Sequence, residues 1–338
     1  CNISVDYTKL LNQGFYAKKT ELEALREEFF QRGEREKAHY LQLQIDILDH
    51  VLSLASRYQK LAEQRGNEVV AKTLLSVPAH APQSFLEALS MFRIIHFTMW
   101  CGRNYHNTVG RFDQYIYPYL KADLDKGIHT KESALELLEE FFLTFNRDSD
   151  LYPGMQQGDN GQSLVLGGLN EDGTDSYNLL SELCLKASLE LKVIDPKINL
   201  RVHEKTPLDT YILGTQLTKQ GLGFPQYSND DVVIPGLMEL GYEKKDAYRY
   251  VVAACWEFII PGTAMDIPNI EALSFTKAVS DAVMEKLEQC RSYEKFEEAV
   301  RNKINSQVEA LCKQVNGVYL YPAPFLSLMM EGCCEKGI

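Results

Sequence analysis

A cysteine and a glutamate stand two residues apart in the apolar stretch VVAACWEFIIPG, residues 251–262. Residues i and i+2 of an extended strand point to the same side, so the side chains of Cys255 and Glu257 are expected to lie together. A carboxylate among apolar side chains loses solvation, which suits it to proton transfer. Its negative charge opposes ionisation of the thiol, so the usual thiolate nucleophile is disfavoured. The pair predicts chemistry that uses a neutral S–H group, such as hydrogen-atom transfer by a thiyl radical.

The spacing of this pair also fits a purely structural role. In that alternative Glu257 ends a strand in an ion pair with a lysine or arginine, and Cys255 is a small buried residue. The chain holds eight cysteines, and none of them stands in a C-x-x-C pair. We therefore expect neither a disulfide framework nor a zinc or iron–sulfur site. The residue pattern alone leaves the catalytic and the structural interpretation of Cys255 open.

Hydrophobic periodicity indicates which elements position the pair. Residues 1–150 are predicted to be mainly helical, because apolar residues recur at three- and four-residue intervals, as in Lys37–Gln64. Residues 151–338 alternate between short apolar strands and helices, which predicts an α/β fold with parallel βα units. Strands are predicted at residues 162–170, 198–204, 223–230 and 250–258. Ligand sites of such folds lie at the carboxyl ends of the strands, and Glu257 falls at one such end.

The charge of the chain disfavours several classes of function. Its 338 residues carry a formal net charge of -12, which argues against binding to nucleic acid or to an anionic membrane surface. No run of about 18 apolar residues occurs, so no membrane-spanning helix is predicted. The first residues lack the features of a signal peptide, and the scattered cysteines suit a reducing compartment, the cytoplasm. These features fit a protein that handles small molecules.

Several motifs occur in an order that resembles one enzyme family. They are AACWEF together with GRFDQYIYPYLKADL (110–124), GQSLVLGGLNEDG (161–173), INLRVHEKTP (198–207), GLGFPQYSNDDVVIPGL (221–237) and APFLSLMMEGCCEKGI (323–338). The chain resembles the glycyl radical enzymes of the pyruvate formate-lyase superfamily. It is most similar to the branch that holds the glycerol, choline and hydroxyproline lyases and the arylacetate decarboxylases. The motifs cover most of the chain.

The resemblance implies a fold and a role for the pair. The family folds as a ten-stranded β/α barrel that carries Cys-x-Glu on a finger-like loop. The chain is therefore expected to form part of such a barrel, with a helical N-terminal third, as a single partial catalytic domain. By this resemblance Cys255 is the thiyl radical that takes a hydrogen atom from substrate. Glu257 is the acid or base that helps to expel a leaving group.

The resemblance also places other residues near the substrate. Tyr105 and His106 lie just before GRFDQ, where family members have polar substrate contacts. Arg111 and Asp113, inside that motif, are expected to hold the loop together. His203 follows a strand, and its role is left open. The remaining candidates for lining the barrel and binding substrate are Phe224, Tyr227 and Asn229.

The presence of Glu257 favours 1,2-elimination, which is the loss of water, amine or sulfite from a small polyol-like substrate. Acyl transfer of the formate acetyltransferase type is disfavoured, because that branch has paired cysteines. Arylacetate decarboxylation also uses Cys-x-Glu, and the aromatic residues Trp256 and Phe258 keep it open. The resemblance further implies activation by a radical S-adenosylmethionine enzyme, no bound organic cofactor or metal, an anaerobic cytoplasm and, as in many members, a homodimer.

The chain departs from the family in two respects. Many members have a valine between the cysteine and the glutamate and a proline or small residue after them, where this chain has Trp256 and Phe258. Members store their radical on a backbone glycine in a C-terminal R-V-x-G-[YF] motif, and the sequence contains no such motif. We therefore expect an internal piece of a longer enzyme that is inactive in isolation. A non-catalytic scaffold of the same fold is the alternative from another functional class.

Overall fold

The computed structural model describes residues 3–102, 107–147, 161–263, 272–317 and 323–338. They belong to two compact units, one of residues 1–266 with 323–338 and one of residues 267–322. The first unit contains the Cys-x-Glu segment. The sequence patterns did not separate the second unit from the rest of residues 151–338.

Helices dominate the first 147 residues, as predicted. Three of them begin at a side-chain cap, because Asn67, Ser84 and Thr130 each accept a hydrogen bond from a backbone N–H group of the first turn. The helix over Phe85–Cys101 is apolar nearly all round, and more than half of its residues are buried. The eight helices described in this part are α1 (Thr8–Leu11), α2 (Gly14–Gln31), α3 (Arg35–Gln64), α4 (Glu68–Ser76), α5 (Phe85–Cys101), α6 (Phe112–Tyr115), α7 (Tyr117–Asp125) and α8 (Lys131–Phe145).

A parallel sheet forms the centre of the first unit. Its strands lie in chain order and are β1 (Ser163–Gly167), β2 (Lys197–Val202) and β3 (Gln226–Asn229). The helices that follow the strands are α9 (Leu179–Leu191), α10 (Leu208–Thr218), α11 (Asp230–Glu239) and α12 (Lys244–Arg249). All five residues of β1 are buried, which is typical of a parallel sheet covered on both faces. The first three predicted strands and their parallel pairing are confirmed.

Two further chain segments extend this sheet. Gly110 forms a parallel bridge with Leu164 of β1, and Asn107 forms a parallel bridge with Ile3. Five parallel segments therefore lie side by side in the order in which the chain runs through them. This is the arrangement that successive βα units of a barrel produce.

The two faces of the sheet pack into different hydrophobic cores. Leu164 and Leu166 of β1 belong to the main core, which they share with residues of α8 and α9. Val165 lies between them in sequence and points to the opposite face, because side chains alternate along a strand. It belongs to a second core with Val251 and Ile259. The second face of the sheet therefore carries the Cys-x-Glu segment.

The Cys-x-Glu segment is a hairpin, here termed the finger hairpin. Its strand β4 (Val251–Ala253) pairs antiparallel with β5 (Glu257–Ile259), and residues 254–256 form the turn. Ala254 has a left-handed φ of 45°, which reverses the chain. The prediction of one strand over residues 250–258 is therefore wrong. The hydrophobic pattern conceals the turn, because no glycine or proline marks it.

The second unit is a helical hairpin. It contains α13 (Phe275–Lys286), a short 3-10 helix (Leu287–Gln289) and α14 (Tyr293–Val315). The chain then returns to the first unit with α15 (Pro324–Ser327) and α16 (Cys333–Lys336). The N–H group of Glu331 donates to the carbonyl oxygen of Gly262 at 2.6 Å, just beyond the finger hairpin.

Candidate active site

Cys255 lies at the tip of the finger hairpin. Its side chain is exposed, and 52% of the surface of the adjacent Trp256 is exposed as well. Glu257, the first residue of β5, is half-buried. The exposure of Cys255 contradicts the alternative in which it is a core residue. The expectation that Cys255 and Glu257 share one face of a desolvated strand is also wrong, because the turn at Ala254 places the cysteine outside either strand.

The carboxylate of Glu257 folds back over the turn. Its Oε2 atom accepts hydrogen bonds from the backbone N–H groups of Cys255 at 2.9 Å and of Trp256 at 3.0 Å. Successive N–H groups next to a left-handed residue form an anion-binding concavity, which here holds the chain's own carboxylate. The Oε1 atom takes no part in these two bonds. The turn thus fixes the carboxylate close to the thiol-bearing residue, with one oxygen left for proton transfer.

The two aromatic residues that flank Glu257 differ in their contacts. Phe258 packs edge-on against Tyr250, with ring centroids 5.4 Å apart. It belongs to the base of the finger hairpin. Trp256 lies at the tip and is more than half exposed. Of these two residues, Trp256 is therefore the one that shapes the surface next to Cys255.

A buried ion pair holds the residues that lead into the finger hairpin. Arg201 of β2 donates from Nε and Nη2 to the two oxygens of Asp230, at 2.9 and 2.8 Å. Its Nη1 atom donates to the carbonyl oxygens of Tyr248 and Tyr250, at 3.0 and 3.2 Å. Both charged side chains are fully buried. The backbone just before β4 is therefore tied to the parallel sheet.

Tyr250 completes this network. Its hydroxyl donates to Oδ1 of Asp230 at 2.6 Å, and its ring centroid lies 4.0 Å from the guanidinium of Arg201. Burial raises the pKa of Tyr250, so its hydroxyl remains a donor at neutral pH. Sequence reasoning missed the network. The signal for it is an arginine among the apolar residues of the strand INLRV, because a buried charge requires a partner.

The GRFDQ motif has the structural role that the sequence predicts. Arg111 donates to the carbonyl oxygens of Gly167 at 3.1 Å and of Tyr248 at 3.3 Å. The Oδ2 atom of Asp113 accepts hydrogen bonds from the N–H group of Gly167 at 2.7 Å and from the hydroxyl of Ser181 at 2.6 Å. Burial raises the pKa of Asp113. Arg111 and Asp113 hold the carboxyl end of β1 in place.

The other predicted site residues have contacts with the main core or the helices, or lie outside the described part. Tyr105 and His106 lie outside the described residues. Phe224 is buried in the main core, and Tyr227 packs against α10 on the helix-facing side of β3. Asn229 is exposed and caps α11 by accepting a hydrogen bond from a backbone N–H group. The roles of these last three residues in substrate binding stay predictions.

His203 follows β2 at the carboxyl edge of the sheet. Its Nδ1 atom accepts a hydrogen bond from the N–H group of Lys205 at 3.2 Å. Its Nε2 atom lies 3.4 Å from Oδ1 of Asp175. These contacts give His203 a structural role in the turn after the strand.

Two features relevant to other classes of function were not found in the described part of the chain. No group of three or more histidine, cysteine, aspartate or glutamate side chains there is arranged to hold a metal ion. None of the helices in the described ranges is long and apolar enough to cross a bilayer.

Parallel β/α segments with a hairpin that carries Cys-x-Glu on one face of their sheet fit the barrel that the resemblance to the glycyl radical enzymes predicts. A family model described as "Pyruvate formate lyase-like" matches residues 1–338. The chain belongs to this family. The resemblance to the pyruvate formate-lyase superfamily is thereby confirmed.

Relatives and solved structures agree with this assignment. The (2S)-3-sulfopropanediol dehydratase of Klebsiella oxytoca is 26% identical over 376 residues, which cover 99% of this chain and 46% of that protein. A solved structure concerned with 1,2-propanediol dehydration in Roseburia inulinivorans superposes with a TM-score of 0.83 at 25% identity, covering 99% of this chain and 47% of the other. A glycyl radical enzyme from Archaeoglobus fulgidus gives a TM-score of 0.83 at 23% identity, with coverages of 100% and 48%.

These similarities establish the fold of the chain and the family to which it belongs. The chain spans about half the length of the relatives it matches. The expectation of a partial glycyl radical enzyme barrel with a helical N-terminal third is confirmed. The relatives support a family of dehydratase-type lyases.

Proposed function

We propose that this chain carries the reactive cysteine and the acid/base residue of a glycyl radical dehydratase. The observation that carries the proposal is the exposed thiol of Cys255 at a hairpin tip, with the carboxylate of Glu257 fixed over the same turn. A carboxylate at this position moves protons and does not activate a thiolate. The similarity to a sulfopropanediol dehydratase favours elimination as the reaction.

Cys255 and Glu257 have different roles in the proposed reaction. A glycyl radical, installed by a radical S-adenosylmethionine activase, supplies the hydrogen-atom acceptor that converts the thiol of Cys255 into a thiyl. Cys255 then takes a hydrogen atom from a substrate carbon that bears a hydroxyl group, so that a C–H bond breaks and an S–H bond forms. Glu257 relays the proton of that hydroxyl group to the leaving group as its bond to the neighbouring carbon breaks. The S–H group returns its hydrogen atom to that neighbouring carbon.

The substrate class follows from this sequence of steps. The substrate carries a hydroxyl group and a leaving group on adjacent carbons, and water, amine or sulfite is lost. The product is a carbonyl compound. The sulfopropanediol and the 1,2-propanediol of the relatives described above are compounds of this kind.

The proposal includes the setting in which the enzyme works. The partner protein is the radical S-adenosylmethionine activase, and the chain itself binds no organic cofactor. The full enzyme is proposed to act as a homodimer in an anaerobic cytoplasm, because oxygen destroys glycyl radicals.

The experiment is a product analysis on the activated full-length enzyme with and without Glu257→Gln. Glycerol, 1,2-propanediol and sulfopropanediol are offered anaerobically, and carbonyl products are measured. We expect turnover with at least one of them and a loss of about 10²–10⁴-fold in Glu257→Gln, because proton transfer by a positioned side chain contributes that much. Glu243→Gln, which removes an exposed carboxylate before α12, is the matched control with unchanged turnover. Full activity in Glu257→Gln contradicts the proposal.

Arylacetate decarboxylation is the second candidate, and the exposure of Trp256 favours it. An indole ring beside the reactive cysteine offers a flat apolar surface to an aromatic substrate. The same product analysis distinguishes the two reactions when 4-hydroxyphenylacetate is included. Release of carbon dioxide from the arylacetate, with no turnover of the diols, would replace elimination by decarboxylation.

A further inference from the structure

The finger hairpin is held at its base by groups that the proposed reaction does not use. The carbonyl oxygens of Tyr248 and Tyr250 both accept hydrogen bonds from Nη1 of Arg201. Nη1 of Arg111 adds a third bond, to the carbonyl oxygen of Tyr248. Tyr250 directly precedes β4 and stands five positions before Cys255. The reactive tip is therefore only a short strand away from a fixed point of the sheet.

Asp230 connects this fixed point to two more elements. It is the first residue of α11, and its Oδ2 atom accepts a hydrogen bond from the N–H group of Leu169, beyond the end of β1, at 2.6 Å. Its Oδ1 atom accepts the hydroxyl of Tyr250. Arg201, Asp230 and Tyr250, here termed the finger clamp, thus join β1, β2, α11 and the finger hairpin.

Stability alone does not explain a clamp of this composition. Burying two charges carries a desolvation penalty that their mutual attraction roughly cancels, so apolar residues of similar volume would stabilise the fold about as well. The planar fork of an arginine differs in that it fixes the directions of several hydrogen bonds at once. Here the fork of Arg201 orients one carboxylate and two backbone carbonyl groups. The clamp therefore supplies a defined geometry in addition to packing.

We propose that Arg201, Asp230 and Tyr250 are positioning residues that set where Cys255 meets the substrate carbon. This inference rests on the proposed function of Cys255. Transfer of a hydrogen atom requires near contact, and a misplacement of about 1 Å lowers a rate by about 10²-fold. Strand β4 has only three residues, so a shift at Tyr250 reaches the turn with little attenuation.

The experiment uses the activated full-length enzyme with Tyr250→Phe and Arg201→Lys. Tyr250→Phe keeps the ring over the guanidinium and removes only the hydroxyl that Asp230 accepts. Arg201→Lys keeps the positive charge and removes the fork. Tyr242→Phe is the matched control, because Tyr242 packs against the same hydrophobic core as Tyr250 and lies outside the finger clamp. The measurements are kcat, KM, the kinetic isotope effect with substrate deuterated at the abstracted position, the radical content and Tm.

A positioning role predicts a specific pattern. We expect kcat to fall about 10-fold in Tyr250→Phe and about 10²-fold in Arg201→Lys, with KM within twofold and an increased isotope effect. The radical content stays at the wild-type level, and Tyr242→Phe leaves all these values unchanged. A purely structural role would lower Tm and the amount of folded enzyme but leave the isotope effect and the kcat of the folded fraction unchanged, which would overturn the inference.

The outcome also separates this inference from the proposed function. If Cys255→Ala is inactive and Tyr250→Phe has normal kcat and isotope effect, the positioning role alone is contradicted. If Cys255→Ala retains turnover, the proposed function fails first. Should Arg201→Lys not fold, Tyr250→Phe decides, because it removes a single hydroxyl group and keeps the charge pair.

Discussion

At the scale of single residues, the site depends on backbone conformation as much as on reactive groups. Ala254 adopts a left-handed φ, which costs a non-glycine residue about 1–2 kcal/mol. This conformation turns the N–H groups of Cys255 and Trp256 towards one carboxylate oxygen of Glu257. Strained residues of this kind collect at functional sites, where the surrounding structure imposes them. The turn at Ala254 thus assembles the thiol and the carboxylate.

Substitution of Ala254 tests this account of the turn. We expect Ala254→Gly to raise the free energy of unfolding by up to about 1 kcal/mol and to keep turnover within a few-fold, because glycine adopts positive φ without strain. Ala254→Val is expected to lower Tm and to lower turnover markedly, because a β-branched side chain disfavours this conformation. Thermal unfolding and turnover are measured on the same preparations. Equal stability of the valine and glycine variants would contradict a left-handed turn.

At the scale of elements, the end of β1 must pass very close to the finger clamp. Gly168 is buried and has a φ of 90°. A Cβ atom at this position would lie 2.5 Å from Nε of Arg201 and 2.7 Å from Oδ2 of Asp230. Glycine is therefore required for the conformation of the chain and also for the contact between β1 and the ion pair.

A comparison of two glycines distinguishes the stability cost of the backbone conformation from that of the close contact with the clamp. Gly173 also has positive φ, but nothing lies within 4 Å of a Cβ atom placed there. We expect Gly173→Ala to lower the free energy of unfolding by about 1–2 kcal/mol through backbone strain alone. Gly168→Ala should lower it by a further 1–3 kcal/mol or so, because the added methyl group overpacks the clamp. Chemical denaturation of both variants is the measurement, and equal losses would refute the close contact.

At the scale of the whole molecule, hydrophobic periodicity predicted the elements whose apolar residues recur at regular intervals. The helices of the first 147 residues and the strands β1 and β2 follow from apolar spacing, because a helix and a buried strand impose different periods. The parallel pairing follows from the alternation of strands with helices. The motifs around GRFDQ and Cys-x-Glu pointed to the family, which the match over residues 1–338 confirms.

The finger hairpin and its clamp could not be predicted in the same way. The turn at residues 254–256 contains alanine, cysteine and tryptophan, and none of these residue types indicates a turn. Arg201 and Asp230 are 29 positions apart, and their pairing depends on the register of β2 and β3. Local sequence patterns carry no information about such distant partners. Residue type and spacing singled out Cys255 and Glu257 as candidates, whereas the geometry of the pair required the structure.

The most direct test of the central claim is the turnover of the activated full-length enzyme with Cys255→Ala, measured together with its radical content. The account predicts a glycyl radical signal of wild-type intensity in electron paramagnetic resonance and no detectable product. The hydrogen-atom carrier is then missing while the stored radical is intact. Product formation by this variant at the wild-type rate would contradict the assignment of Cys255 as the residue that takes the hydrogen atom from the substrate.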